Sequence, residues 1–258
     1  MRYFDSIGFV FGKQNWFMNT LLCVVCMLIP VIGPIVLLGY MYEVFDTLHR
    51  DPTHKDYPDF SFERFTAYLT RGIWPFIVQL IAQAVMMVPM FVAYIIAMLV
   101  SAAFAEKAGI VVVFAWLGYV AVAMIAGVVI GLVMWPAQLH AGYGRQLDFT
   151  GMIAFIKEFF KKVGKELVLS LLFLFVAGIV LIPLGLVACC VGVWFVAVLL
   201  VYSQFHLKSQ LYELYLQRGG TPIPVKGETP GAPAGDLSTA ITADPDRRLE
   251  PPPPPPVS

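Results

Sequence analysis

Charged residues are scarce in this chain. Only 13% of its 258 residues are Asp, Glu, Lys or Arg, whereas roughly 25% is usual for a soluble domain. The charges balance to a formal net charge of zero, so the sequence offers no basic surface for nucleic acid. The composition therefore argues against a soluble globular protein and against a nucleic-acid-binding protein.

Cysteine is also rare, and its four copies all lie within apolar runs. Cys23 and Cys26 have the spacing of half a zinc or redox site, but no second pair or histidine cluster accompanies them. We interpret them as small apolar residues at helix contacts. His49 and His54 lie near aspartates in a polar segment, yet their spacing matches no known ligand pattern, which favours a solvated loop. We expect no metal and no cofactor.

Long apolar runs are what the sequence has in abundance. Hydrophobic residues make up 59% of the chain, and the mean hydropathy is +0.78. The first run, residues 16–42, is broken at its centre by Pro30, Gly33 and Pro34. Lipid offers no water to the backbone groups that such a break frees, so other protein must cover it. We predict a helical hairpin with its tip at 29–34. Each arm, of about 14 residues, would rise only about 21 Å, less than the roughly 30 Å of the hydrocarbon core.

The same organisation recurs twice more along the chain. Each unit would have a surface helix, a membrane span, a turn and a returning span. The predicted surface helices are 3–16, 60–74 and 152–163; the later spans are 75–101, 110–135, 166–182 and 189–202, with a turn at 183–185. Two of the surface helices follow similar tripeptides, 59–61 and 148–150, in which Ser61 and Thr150 would supply a capping hydroxyl.

Lysine and arginine flank the hairpins and avoid their turns. Four lie between residues 46 and 72 and five between 136 and 165, while the turns hold only Lys107. Basic flanks stay in the cytoplasm. The sequence therefore predicts an all-α, polytopic inner-membrane protein with six membrane helices and both termini cytoplasmic. The alternative is five helices, with 16–42 forming one kinked span. Residues 1–218 would be the membrane domain and 219–258 a disordered, proline-rich cytoplasmic tail that ends in six consecutive prolines.

Two sets of polar residues are candidate functional positions. Gln79 and Gln83 share one face of a span and could contact another helix or, with the turn at Pro30, Gly33 and Pro34, line a polar path. A second set lies where spans leave the membrane and could form a cytoplasmic vestibule: Tyr40, Glu43, His140, Tyr143, His206 and Gln210. The alternatives are structural contacts for the first set and ordinary interfacial residues for the second.

The run from Leu28 to Tyr40, with Ile-Pro-x-Ile-Gly-Pro at its core, resembles the signature of a prokaryotic membrane family, domain of unknown function 4013 (DUF4013). The Phe-rich basic segment 155–165, the Cys189-Cys190-Val-Gly motif and the segment 202–212 are similar to it as well. The likeness covers roughly residues 10–215. It implies a polytopic membrane protein of bacteria or archaea without an assigned activity, and it supplies no catalytic residues.

We find no ionisable residue deep in a span, no nucleophile–base pair and no phosphate-binding loop in the sequence. These absences favour a non-enzymatic membrane scaffold, or a subunit that recruits protein partners through its surface helices and tail. A transporter of small solutes or lipids is the alternative. A membrane enzyme acting on lipid headgroups near His140 and His206 is the third hypothesis.

Overall fold

The computed structural model describes residues 1–50, 57–104, 109–187 and 191–225, and within them it contains helices and no strands. The helices are α1 (Asp5–Gly8), α2 (Trp16–Met27), α3 (Ile32–Arg50), α4 (Phe65–Phe104), α5 (Gly109–Gly144), α6 (Phe149–Val187) and α7 (Val191–Gln217). Short 3₁₀ turns follow α1, at Phe9–Gly12, and precede α4, at Phe62–Arg64. The predicted all-α class is confirmed.

The hairpin predicted around residues 29–34 is present. Helix α2 ends at Met27 and α3 begins at Ile32, and Val31 between them adopts a left-handed backbone with φ 64°. Both arms return to the same place, because Asn19 of α2 bonds to Asp59 and Phe60 while Tyr40 of α3 bonds to Pro58. The 12 residues of α2 rise only about 18 Å, less than a bilayer core.

Three segments are long and apolar enough to cross a membrane: Phe62–Phe104, Gly109–Gly144 and Phe149–Val187. They indicate a membrane protein. Helix α7 is not among them; its apolar stretch, 192–201, is followed by Tyr202, Ser203 and Gln204. Neither the six-helix nor the five-helix arrangement is established by these lengths, and both stay predictions.

The amphipathic segments differ in part from those predicted. The segment before residue 75 is continuous with its span, since α4 runs through both Pro75 and Pro89. The segment 152–163 does end at a kink, where Val163 has φ −132° and ψ 17° inside α6. The predicted helix over 3–16 is replaced by α1 and a 3₁₀ turn: Gly8 and Gly12 are poor helix formers, and Lys13 has an extended backbone with φ −92° and ψ 139°.

Two local predictions are wrong. Helix α6 continues through Pro183 to Val187, so the chain does not turn at 183–185. Thr150 does not cap α6, because Asp148 accepts the Gly151 N–H at 3.0 Å instead. The capping role of Ser61 is confirmed by its bond from the Glu63 N–H at 3.2 Å. Four predictions lie outside the described residues: His54, the charged turn at 105–108, Cys189-Cys190, and the tail beyond residue 225.

The molecule has an apolar, exposed zone and a densely packed zone. Side chains of α4 and α5 between residues 80 and 133 are mostly exposed and apolar, as expected of a surface that faces lipid. The packed zone is formed by α3, α7, the start of α4 and α6, and the end of α5. Its largest fully buried side chains are mainly aromatic: Tyr40, Tyr42, Phe45, Tyr57, Tyr68, Phe159, Tyr202, Phe205, Tyr212 and Tyr215.

Two glycines set the distance between α3 and α4. A Cβ at Gly39 would lie 1.9 Å from the Tyr68 carbonyl oxygen, and one at Gly72 would lie 1.8 Å from that of Ile35. The two backbones are therefore in direct contact, an arrangement that small residues permit between membrane helices. An ion pair joins the same helices, Arg71 with Asp46 at 2.7 Å, and a second, Arg64 with Glu43, joins α3 to the 3₁₀ turn before α4.

The compact unit extends from Met1 to Ile223, five residues past the predicted boundary at 218. Gly219, with φ 73°, ends α7 in a Schellman motif: its N–H bonds to Leu216 and the Gly220 N–H bonds to Tyr215. The chain then packs back, so that Ile223 is only 5% exposed and donates its N–H to the Tyr212 hydroxyl at 3.0 Å.

Candidate functional site

A buried lysine is the centre of the most polar part of the interior. Lys208 is 1% exposed and donates to the Gln138 side-chain oxygen at 2.9 Å. Its ammonium nitrogen lies 4.6 Å from the centroid of the Phe205 ring and 5.6 Å from that of Trp135. Its partners among the described residues are therefore amides and aromatic rings, which stabilise a cation without neutralising it.

Gln138 connects α5 to three other helices. Its side-chain amide on α5 donates to Gln79 of α4 at 3.4 Å, and its oxygen accepts from Lys208 of α7. Its main-chain carbonyl accepts the Tyr42 hydroxyl of α3. Gln79, predicted from the sequence as a helix contact or path residue, thus lies at one end of a buried polar chain.

Trp135 and Gln204 form the other end of the chain. With the Gln204 amide oriented to suit its neighbours, its oxygen accepts from the Trp135 indole N–H at 3.0 Å and from Lys208 Nζ at 3.3 Å. Two donors therefore converge on one oxygen position.

Burial lowers the pKa of Lys208 to about 7. An isolated ammonium loses hydration when it is buried, and here no carboxylate of the described residues compensates it. Lys208 lies beyond the apolar stretch of α7, and near neutral pH it can hold or release a proton.

A groove lies beside this cluster, between α5, α6 and α7. Its volume is about 690 Å³, and its walls are apolar apart from Trp135 and Gln204 at one end. Several of its lining residues, among them Val128, Val168 and Leu172, are about half exposed. The groove is therefore open on the apolar surface and closed by polar groups at its end.

The six predicted vestibule residues are divided among several contact groups. Tyr40 accepts from Tyr202 at 3.0 Å and donates to Pro58 at 2.9 Å. Glu43 pairs with Arg64; burial raises the pKa of this carboxyl, and the Arg64 guanidinium opposes that shift. Tyr143 packs against the rings of His49 and Tyr212, at centroid distances of 5.7 and 5.5 Å.

His206 and Gln210 hold the N-terminal segment against α7. The His206 ring stacks on Phe9 with a centroid distance of 4.6 Å and bonds to Gln210 at 3.0 Å. Gln210 in turn accepts the Arg2 main-chain N–H at 2.8 Å and donates to the Arg2 carbonyl at 3.3 Å. Burial lowers the pKa of His206 to about 4.

His140 is buried beside Phe155, at a ring-centroid distance of 5.6 Å, and its Nδ1 has no hydrogen-bond partner among the described residues. The charged residues near Glu43, His140 and His206 differ. Glu43 pairs with Arg64, Asp148 lies near His140, and Asp5 is the acid near His206. The contacts thus do not unite His140, His206 and Glu43 as the enzyme hypothesis requires.

The carbonyl groups of the proline turn are used within the turn itself. Ile29 accepts from the Gly33 N–H at 3.0 Å, and Pro30 accepts from Ile32 at 2.7 Å. Gly33 is buried against α2. A Cβ at this position would lie 1.7 Å from the Cys26 carbonyl oxygen. Pro30 is exposed, Pro34 is half-buried, and Gln83 on α4 is exposed. The turn closes the hairpin and leaves these two carbonyls paired.

The site residues predicted from the sequence do not include Lys208, Gln138 or Gln204. The prediction of a solvated loop is wrong at His49, which lies in α3 and contacts Glu213. The spacing of four residues between Gln204 and Lys208 places both side chains on one helix face, but it does not indicate that this face is buried. Among the described residues, no group of three or more His, Cys, Asp or Glu could hold a metal ion. Cys23 is buried, with its sulfur 3.8 Å from the Tyr202 hydroxyl.

Comparison with curated proteins and with solved structures gave no significant match. A family model does match residues 22–191, more than half of the chain. This region includes the second half of α2 and all of α3 to α6, and therefore the turn of the hairpin and the three long apolar helices. The chain belongs to the family described as "Protein of unknown function (DUF4013)".

Proposed function

We propose that this chain is a non-enzymatic membrane scaffold that recruits protein partners. The observation that carries the proposal is the use of polar groups within the fold. Gln79, Tyr40 and Glu43 all bond to other side chains or to the main chain. Contacts of this kind hold helices in place, as a scaffold requires, whereas a polar path requires groups that can contact a solute.

The packed zone supports this role because it fixes the relative positions of several helices. Two ion pairs and two glycine contacts join α3 to α4 and to the 3₁₀ turn before it. Arg218 bonds to Glu166 at 2.6 Å and fastens the end of α7 to α6. A platform of this kind can hold a flexible segment or a partner at a defined place beside the bilayer.

We propose an inner-membrane location with four crossings, by α4 to α7, and with α2 and α3 as a hairpin that enters and leaves on one side. Both termini are then cytoplasmic. The basic flanks support this orientation, and the short rise of α2 supports the incomplete crossing of the hairpin.

Affinity capture from mild detergent tests the scaffold. The full chain should retain specific proteins that a chain truncated after Val225 loses, because the truncation removes the proline-rich segment and leaves Ile223 in place. Replacing prolines 251–256 by alanine keeps the length of the chain and tests the polyproline segment separately. Identical captured proteins from the full and truncated chains would contradict recruitment by the tail. Absence of specific proteins from both would contradict the scaffold.

A lipid transporter is the second candidate, and the open groove next to the polar chain Gln79–Gln138–Lys208 favours it. Purified protein in vesicles with fluorescent headgroup-labelled lipid distinguishes the two functions. A scaffold leaves lipid exchange between leaflets at the rate of protein-free vesicles. A transporter increases that rate, and a Gln138→Leu variant then reduces the increase.

A further inference from the structure

The groove between α5, α6 and α7 has the length of one half of a bilayer. Along α5 its lining extends from Met124 to Trp135, which corresponds to about 16 Å at 1.5 Å per residue. Half of a hydrocarbon core of roughly 30 Å is about 15 Å. The volume of about 690 Å³ lies within the roughly 300–1,000 Å³ typical of small-ligand pockets.

The walls and the end of the groove differ in chemistry. The walls are formed by aliphatic residues, glycines and Phe175, while Trp135 and Gln204 lie together at one end. A ligand that fits must therefore have a long apolar part and a polar group at one terminus. Because the groove is open on the exposed apolar surface, it is accessible to molecules within the membrane.

The polar end favours a negative group. The Trp135 indole N–H and the Lys208 ammonium both point to the position of the Gln204 amide oxygen, at 3.0 and 3.3 Å. A neutral amide oxygen accepts both bonds, but it does not compensate the charge of Lys208. An anionic oxygen at this position would make stronger, charge-assisted hydrogen bonds with both donors.

We propose that the groove binds an anionic glycerophospholipid, with one acyl chain along α5 and the phosphate at the Trp135–Lys208 end. Gln204 lines the groove, so its side chain can rotate away and give its place to a phosphate oxygen. The lipid supplies the negative charge that the described residues do not supply to Lys208. Such a site would couple the packing of α5, α6 and α7 to the lipid composition of the membrane.

Native mass spectrometry of the full chain tests the proposal with an equimolar mixture of dioleoyl phosphatidylglycerol and dioleoyl phosphatidylcholine in detergent. The wild-type chain should retain one phosphatidylglycerol about tenfold more often than phosphatidylcholine, as expected when one charge-assisted contact contributes about 1.4 kcal/mol. Lys208→Met should bring the ratio close to one, because it keeps an unbranched side chain and removes the charge.

Gly127→Phe tests the groove independently of the buried core. Gly127 lines the groove, and a Cβ there would meet nothing within 4 Å, so a phenylalanine fits and occupies the space of the acyl chain. Retention of either lipid should fall at least about tenfold. Gly118→Phe is the matched control: it lies on the same helix, it is equally free of neighbours, and it is not part of the groove lining.

Circular dichroism and size-exclusion chromatography first verify that each variant is folded. If Lys208→Met does not fold, lipid retention by Gly127→Phe tests the site alone. Unchanged phosphatidylglycerol selectivity in Lys208→Met, or unchanged retention of both lipids in Gly127→Phe, would overturn the site. A loss of lipid retention in Gly118→Phe as large as that in Gly127→Phe would also overturn the site. Oleate that displaces phosphatidylglycerol completely at equal concentration would overturn the assignment to a phospholipid and identify a fatty-acid site.

Discussion

The hydroxyl of Tyr40 joins three parts of the packed zone. It donates to the Pro58 carbonyl and accepts from Tyr202, so it connects α3 to the segment before α4 and to α7. Tyr40→Phe would leave the Pro58 carbonyl and the Tyr202 hydroxyl without their partner in a buried site. We expect a loss of about 1–3 kcal/mol in the free energy of unfolding, measured by denaturation in detergent.

Tyr94→Phe is the matched control for this change. Tyr94 is 39% exposed and contacts other residues through its ring, at 6.0 Å from Trp116. Its substitution should change the free energy of unfolding by less than about 0.5 kcal/mol. Equal effects of the two substitutions would show that the Tyr40 hydroxyl does not stabilise the packed zone.

His206 should make the stability of the protein depend on pH. Burial, assisted by Arg2, lowers its pKa from 6.5 to about 4. Because the folded state binds the proton less readily than the unfolded state, the stabilisation is complete above pH 6.5 and decreases as the pH falls towards 4. The melting temperature of His206→Asn should therefore depend less on pH between 6.5 and 4. Parallel curves for wild type and variant would contradict this assignment.

The candidate site residues show which features of the site cannot be predicted from sequence patterns. Gln79 could be recognised as a polar residue within an apolar helix, but its partner Gln138 is 59 residues away. Lys208 could not be recognised as buried, because lysine at the exit of a span is usually in water. Only the crossing of α5 and α7 determines that Trp135, Gln138 and Lys208 share one site.

At the level of helices, the contact between α3 and α4 depends on two glycines, Gly39 and Gly72, which have no side chain. Gly39→Ala or Gly72→Ala would place a methyl group within 2 Å of a carbonyl oxygen of the other helix, and the backbones would have to separate. We expect each substitution to reduce the free energy of unfolding by at least about 2 kcal/mol. Thermal unfolding in detergent measures this loss.

Gly118→Ala provides the comparison, since nothing lies within 4 Å of the added methyl group. In a helix interior this change should be neutral or stabilising by up to about 1 kcal/mol. A destabilisation of Gly118→Ala equal to that of Gly39→Ala would indicate a general intolerance of larger residues and not a specific helix contact.

Prolines in apolar sequence have two different outcomes in this fold. At Pro30, Gly33 and Pro34 the breaks are close together and the chain reverses, with Val31 in a left-handed conformation. At Pro183 a single break is accommodated and α6 continues. The hairpin could therefore be predicted from the sequence, because one continuous helix cannot pass through several helix-breaking residues within six positions. The single proline could not, because its neighbours decide whether the helix ends.

At the level of the whole molecule, the boundary of the folded unit can be tested by truncation. A chain that ends after Arg218 lacks the Gly219 cap and the buried Ile223. It should lose roughly 2 kcal/mol of stability, the value for one buried aliphatic side chain. A chain that ends after Val225 should unfold like the full protein. Equal stability of the two truncated chains would place the boundary at 218.

The orientation in the membrane has its own prediction. The proposed arrangement of four crossings and a hairpin would place both termini in the cytoplasm, so fluorescent protein fused to either end should be bright and alkaline phosphatase fused to either end should be inactive. The five-helix alternative predicts opposite signals at the two ends. Fusions at both ends of the same chain therefore separate the two arrangements.

The hydrogen bonds between Arg2 and Gln210 join residues that are 208 positions apart in the chain. During translation, Arg2 cannot reach this partner until the 208 residues that follow it have been made. The contact of Arg2 with α7 thus forms only after the hairpin and the long helices have been made, whereas Val10 can already bond to Tyr57. Site-specific cross-linking of position 2 in arrested nascent chains should capture Gln210 only when α7 has cleared the exit tunnel.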